Sequence, residues 1–418
     1  MNSRQRVQAA LEHRPPDRTP RDFGASAVTG ISASFIYRLR RVLGLPEKPI
    51  PIYCPYQMLG EVEEDLRRLL RVDTLSMRPT GNLFGFDNTP VKPFTMNDGT
   101  PVLVPEAFNT VYEPGGRLYQ YARGDRNYPP SGVMPAGGFY FDATVRAKPV
   151  DDDADLDPAD NLEEFTLLSD EALKEAEHEA KELFAGTDYA IVSGGPGGTG
   201  LGDIAFVPGT MLPDPKGIRD LQDWYISPLI RPDYIKEVFD KQTDIAVENL
   251  KLYHQAVGDR LSVITLCGAD FGNQRSLMLS VEMFREMYLP YYKKMTDWIH
   301  AHTTWKVFKH CCGAIEPLLP YLIEAGFDIM NPVQVSAAGM EPETLKQKYG
   351  DKLTFWGGGV NTQSTLPYGT PKEVREEAAR HARIFGQNGG FVFNTIHNVQ
   401  PNVPIENFLA MIEALNDE

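Results

Sequence analysis

Two side chains able to ligate a metal stand two residues apart in the run Lys309-His310-Cys311-Cys312-Gly313. Side chains alternate faces along a β-strand, so His310 and Cys312 share one face of such a strand and Cys311 takes the other. An imidazole and a thiolate on one face are half of a zinc site. A catalytic zinc takes three protein ligands and keeps one position open; His397 and Cys267 are the candidates for the third. A buried cysteine beside a hydrogen-bonded histidine accounts for the same pair without metal. The loop Gly268-Ala269-Asp270-Phe271-Gly272-Asn273-Gln274 brackets Asp270 and Gln274 with glycines, placing them to orient a substrate or a metal-bound water. An Asx turn capping the next helix is the other reading. Gln334, Asn361 and Asn398 lie in three further loops, where amides suit a substrate carbonyl or carboxylate, or simply the loop's own backbone. Gly195, Gly197 and Gly200 match GxGxxG, but Pro196 and the following Ile204-Ala205-Phe206-Val207-Pro208 do not open a helix as a dinucleotide site requires. That run reads as a tight active-site loop. His300 and His302, two apart on a helix, face different ways and are no metal pair.

These side chains fall at the ends of short β-like runs. Eight such runs alternate with helical patterns: 17–23, 72–78, 188–194, 261–267, 304–312, 328–332, 353–358 and 390–395. Apolar residues recur at helical spacing over 232–257, 281–303, 316–325, 341–349, 371–385 and 405–415. Alternating strands and helices predict a parallel sheet, closed or doubly wound and open, and eight repeats favour the closed (β/α)8 TIM-type barrel. The whole chain, 1–418, then forms one barrel domain. Residues 79–186 break the repeat. They carry Asn97-Asp98-Gly99, Pro114-Gly115-Gly116 and the acidic stretch 151–164, and so predict a β-rich insertion between strands 2 and 3. Such an insertion is expected to form a lid over the barrel mouth, or a surface decoration.

The 418 residues carry a formal net charge of −16, which argues against nucleic acid as a partner because phosphate binding needs clustered Lys and Arg. No apolar run approaches the ~20 residues that span a bilayer. The opening MNSRQRVQAALEHR reads as a polar amphipathic helix without a signal-peptide core, so a cytoplasmic protein is expected. Its four cysteines, Cys54, Cys267, Cys311 and Cys312, suit reduced core residues or ligands better than a disulfide framework.

Several segments resemble the uroporphyrinogen decarboxylase superfamily: RQRVQAALEHRPPDRTPRDF, GADFGNQ with SVEMFREMYLPYYKKM, HCCGAIEPLLPYLIEAGFDIMNPVQ, LTFWGGGVNTQSTLPYGTPKEV and GGFVFNTIHNVQPNVPIENFLAM. The resemblance spans nearly the whole chain outside 79–186. It implies a barrel enzyme with one of two chemistries. Corrinoid-dependent methyltransferases of this superfamily hold zinc with a His-x-Cys motif and a later Cys. His310 and Cys312 match the motif, and His397 stands where the later Cys falls. The metal-free decarboxylases carry His at that position, together with an arginine-rich PxWxMRQAGR segment after the first strand. Here that place reads RTPRDFGASAVTGI, without the arginines that would pair the carboxylates of a tetrapyrrole. The resemblance therefore implies a zinc-dependent methyltransferase exchanging a methyl group between a small methylated substrate and a corrinoid protein, with a metal-free decarboxylase of a tetrapyrrole or smaller acid as the alternative. His310, Cys312 and His397 would ligate zinc, with Cys267 as the alternative third ligand. Asp270, Gln274 and His397 are the expected catalytic residues, and Gln334, Asn361 and Asn398 the expected substrate contacts. A corrinoid protein and a second copy of the chain are candidate partners.

Overall fold

A computed structural model describes residues 1–150, 153, 156–266 and 269–417. Seven strands form one parallel sheet: β1 (Thr74–Met77), β2 (Ala190–Gly194), β3 (Val263–Thr265), β4 (Lys306–His310), β5 (Ile329–Asn331), β6 (Thr354–Trp356) and β7 (Phe391–Val392). They lie side by side in chain order. Each is a short apolar run following a helix, the pattern of a sheet covered on both faces. Alternate residues Val192, Val263, Phe308, Ile329, Trp356 and Val392 meet in one interior cluster. Val7, Ala10 and Leu11, from the helix Ser3–Leu11, join that cluster. Asn2 and Gln5 start this helix with a capping box. The sheet thus curls around a packed interior as a half-barrel of seven strands. Its outer face packs against helices such as Pro232–Val257 and Pro371–Phe385 in the large outer cluster.

The first β-like run, 17–23, is not a strand. Pro20 has no N–H to give a ladder. Arg21 makes a single parallel bridge to Phe393, with Phe393 N donating to Pro20 O and Asp22 N donating to Phe393 O. On the other side Asp73 N donates to Arg21 O at 2.8 Å. Residues 20–22 therefore lie between the two edges of the seven-stranded sheet.

Two expected helices are divided by proline. The 281–303 pattern is two helices, Val281–Met287 and Leu289–His302, with Pro290 in the first turn of the second. The 316–325 pattern begins as a 3-10 turn, Glu316–Leu318, and continues as Leu319–Glu324, each with proline at its start. Within 79–186, antiparallel strands run from Val91 to Ala143, but Asp170–Gly186 is an α-helix preceding β2. Ser169 caps it by accepting from Ala172 N. The sequence reading also missed an earlier excursion. Strands Ile31–Ser32, Ile50–Cys54 and Leu59–Gly60 join Pro101–Pro105 and Val91–Thr95 in one five-stranded sheet. That sheet is tied to the loop after β7, because Ser32 N donates to Val399 O and Val399 N donates to Gly30 O.

Candidate functional site

β4 stays regular to its end, and the parity that sends Phe308 inward sends His310 inward too. Asn331, ending β5, is its register partner. The His310 Nδ1 lies 2.7 Å from Asn331 Oδ1, and Asn331 Nδ2 donates to Trp356 O at 2.8 Å. Cys312 follows two residues on, with Sγ 3.5 Å from His310 Nε2. Cys311 takes the opposite face. It is fully buried, and its sulfur accepts from Phe271 N at 3.2 Å.

The loop after β3 is clamped to this strand end. Asp270 Oδ1 accepts from Cys312 N at 2.7 Å, and Tyr225 OH, on the helix Leu221–Ile230, donates to Asp270 O. Gly313 makes the approach possible. Its φ is +95°, and a Cβ there would stand 2.4 Å from the Gly272 carbonyl carbon. Gln334 Oε1 accepts from Gly313 N at 2.7 Å. Lys309, fully buried, donates to Ala269 O and His310 O and lies over the rings of Phe271 and Tyr292. Its ammonium ties both loops to β4, a role the sequence reading did not foresee.

His397 arrives from the loop after β7. One ligand atom from each of His310, Cys312 and His397 lies within 4.8 Å of the others. The two imidazoles meet edge to face, with centroids 5.6 Å apart. The His397 Nδ1 accepts from Asn398 N at 2.9 Å. Burial lowers the pKa of both imidazoles, that of His397 to about 4 with His310 adding to the effect. Burial, with the Asp270 charge second, pushes the Cys312 thiol up. Without a metal the cluster is therefore two neutral imidazoles and a protonated thiol at neutral pH. A borderline-soft cation accepts this nitrogen and sulfur set, and the His310 bond to a carbonyl-type oxygen is the outer contact that ligating histidines usually make. His310 and Cys312 fit zinc.

The other expected residues divide. Gln274 is exposed, and its Nε2 donates to Gln363 Oε1, apart from the cluster's hydrogen bonds. The three amides expected to contact substrate each accept a backbone N–H. Gln334 holds Gly313. Asn361 Oδ1 accepts from Gln363 N. Asn398 Oδ1 accepts from Gly30 N, while its Nδ2 donates to Ala27 O and Gln57 Oε1. Cys267, the alternative third ligand, lies outside the described residues. The glycine-rich turn after β2 opens no helix, and Gln242 and Asn249 bind its carbonyls. Asp22 was missed altogether. Its fully buried carboxyl is raised by burial and accepts from Ala25 N, Thr74 Oγ1 and Trp356 Nε1. A buried acid in a strand-like run looks like a surface residue until its three donors are known.

Residues 214–417 match the family model described as uroporphyrinogen decarboxylase (URO-D). A uroporphyrinogen decarboxylase of Chlorobium phaeobacteroides is 30% identical over 146 residues, 34% of this chain and 39% of that protein. One of Pseudoalteromonas translucida is 24% identical over 192 residues, 44% of this chain and 49% of that protein. The alignments thus span between about two fifths and half of the length of these curated relatives. Among solved structures, a methyltransferase from Methanosarcina mazei matches with a TM-score of 0.53 and 16% identity, over 100% of this chain and 99% of that one. At that identity the match speaks for the fold.

Proposed function

We propose, for a chain whose carboxyl-terminal half belongs to the uroporphyrinogen decarboxylase superfamily, that it is a zinc-dependent methyltransferase exchanging a methyl group between a small methylated substrate and a corrinoid carried by a partner protein. The observation that carries this reading is the approach of Cys312 Sγ to within 3.5 Å of His310 Nε2 at the carboxyl end of the strands, with His397 beside them, the face where such barrels keep their chemistry. Zinc bound there supplies a Lewis acid for the oxygen or sulfur of the substrate. His310 Nε2 and Cys312 Sγ would hold it. Asn331 and Trp356 fix the imidazole, and Asp270 and Lys309 fix the loop that presents the thiol. Residues 20–22, bonded to Phe393 and Asp73, take the place of the missing strand and close the barrel in this reading. The sheet formed by 31–60 and 91–105 would border the mouth beside Asn398, as part of a lid that includes much of 79–186.

The alternative, a metal-free decarboxylase of a tetrapyrrole or a smaller acid, is favoured by the names of the curated relatives. Against it stand the arginines nearest the first strand position. Arg18 is committed to Asp73, and Arg21 to Leu70 O and Leu415 O. A polycarboxylate needs such cations facing the site. The two readings part in one experiment. Zinc-loaded protein is incubated with methoxylated and methylthiolated compounds and cob(I)alamin, and separately with uroporphyrinogen. Methylcobalamin formation supports the first reading; carbon dioxide release from uroporphyrinogen, without metal, refutes it.

A further inference from the structure

His310 and His397 are held in opposite tautomers by what their Nδ1 atoms meet. Asn331 cannot turn its amide over, because its Nδ2 donates to the Trp356 carbonyl at 2.8 Å. Its Oδ1 therefore faces His310 Nδ1 at 2.7 Å, and an amide oxygen only accepts. The His310 hydrogen is on Nδ1. Nε2, 3.5 Å from Cys312 Sγ, holds the lone pair that a metal needs.

His397 is set the other way. Its Nδ1 receives the backbone N–H of Asn398 at 2.9 Å, and an amide N–H only donates. The hydrogen of the neutral ring therefore sits on Nε2, the nitrogen left for the site. The Asn398 backbone is not free to withdraw. Its side chain is pinned by Gly30 N at 2.6 Å, Ala27 O at 2.9 Å and Gln57 Oε1 at 2.7 Å. To ligate through Nε2, His397 would have to move its hydrogen to Nδ1, directly against the Asn398 N–H.

We infer that His397 is not the third metal ligand but a hydrogen-bond donor, aimed through Nε2–H at the oxygen or sulfur atom of a substrate bound beside His310 and Cys312. The inference rests on the metal reading proposed above. It makes His310 and Cys312 the anchor and His397 the group that recognises a lone-pair-rich heteroatom, such as an ether or phenolate oxygen or a thioether or thiolate sulfur. The histidine where the superfamily's methyltransferases place a cysteine then has a different task and is not a substitute ligand.

Three measurements test it. In 15N-histidine spectra of the metal-free protein, His310 should carry its hydrogen on Nδ1 and His397 on Nε2; His397 protonated on Nδ1 overturns the inference. Zinc affinity, read by competition with a chromogenic chelator, should fall at least about a hundredfold in Cys312→Ala and stay near the wild-type value in His397→Gln and His397→Ala, since even outer contacts of a metal site cost 10–100-fold. A loss in the His397 variants as deep as in Cys312→Ala also overturns it. With cobalt in place of zinc, phenol serves as an oxygen-donor probe and its binding is followed by the visible d–d bands. Phenol should bind about tenfold or more weakly to His397→Ala, the loss of one hydrogen bond to a charged group. His397→Gln, which keeps a donor, should restore much of that. Equal phenol affinity in all three proteins refutes the donor role. Wild-type protein that binds no zinc refutes the metal reading itself, and the tautomer spectra still decide the orientation of His397.

Discussion

Asp73→Asn is the substitution that should most clearly loosen the junction between the two edges of the sheet. The Asp73 carboxylate is fully buried just before β1. Its Oδ1 accepts from Ser3 Oγ at 2.8 Å, Arg6 Nη1 at 2.6 Å and Arg18 Nη2 at 2.9 Å. Its Oδ2 accepts from Arg18 Nη1 at 2.8 Å and Arg21 N at 2.9 Å. One carboxylate thus joins the helix Ser3–Leu11, the segment 18–21 and β1. Asparagine keeps the shape, but it removes the charge and points an NH2 at donors. Breaking a buried ion pair by neutralising one partner costs about 3–5 kcal/mol. At roughly 2.1 cal/mol/K of unfolding entropy per residue, the 418 residues give ~0.9 kcal/mol/K, so Tm should fall by about 3–6 °C. Differential scanning calorimetry reads the shift. Amide exchange should quicken at Asp73 and Phe393, whose N–H groups donate to Arg21 O and Pro20 O. Asp17→Asn is the control. That carboxylate also bonds Arg6, but it is 41% exposed and water screens it, so the loss should be smaller. A Tm within a degree of wild type, with exchange at Phe393 unchanged, would refute the view that this network holds residues 20–22 between the sheet edges.

Three further outcomes are expected. Cys311→Ala should keep the metal site, since Cys311 faces away, yet lose about 1–3 kcal/mol of stability because Phe271 N is left without its sulfur acceptor; denaturant unfolding together with metal analysis checks both. Asn331→Leu should weaken zinc binding about 10–100-fold by releasing the His310 ring, and Asn331→Asp, which keeps the acceptor, should weaken it far less, in the same chelator competition. Thermal melts between pH 7 and pH 3 should show stability lost on acidification: the Arg40 guanidinium holds Asp65 below its ordinary 3.8 and Lys348 holds Glu316 below 4.5. Their contribution is present above those values and disappears as pH falls through the lower folded ones. Arg40→Gln should flatten this dependence, and an unaltered acid limb would count against it.

The face of His310 was legible because a period of two needs only that β4 remain regular, and Cys312, two residues past the strand's end, still meets it. The clustering of His397 with them followed from its place after the last strand. What sequence reading lost was whether a polar group is free. Asn398 and Gln334 look like available amides until their partners, Gly30 and Gly313, are brought in by the fold. The short strands at 31–32, 50–54 and 59–60 were missed because two of them have only two residues and the third pairs with Pro101–Pro105, some fifty residues later. No local period marks such a pairing. Lys309 and Asp22 are residue types that a hydrophobic pattern assigns to the surface, although both are buried with hydrogen bonds made.

Metal analysis of the purified wild-type protein beside Cys312→Ala and Cys311→Ala tests the central claim most directly. The protein is prepared without chelators and dialysed against zinc-buffered solution. The account predicts one zinc per chain in the wild type and in Cys311→Ala, and none in Cys312→Ala. Zinc absent from the wild type, or retained in full by Cys312→Ala, contradicts it.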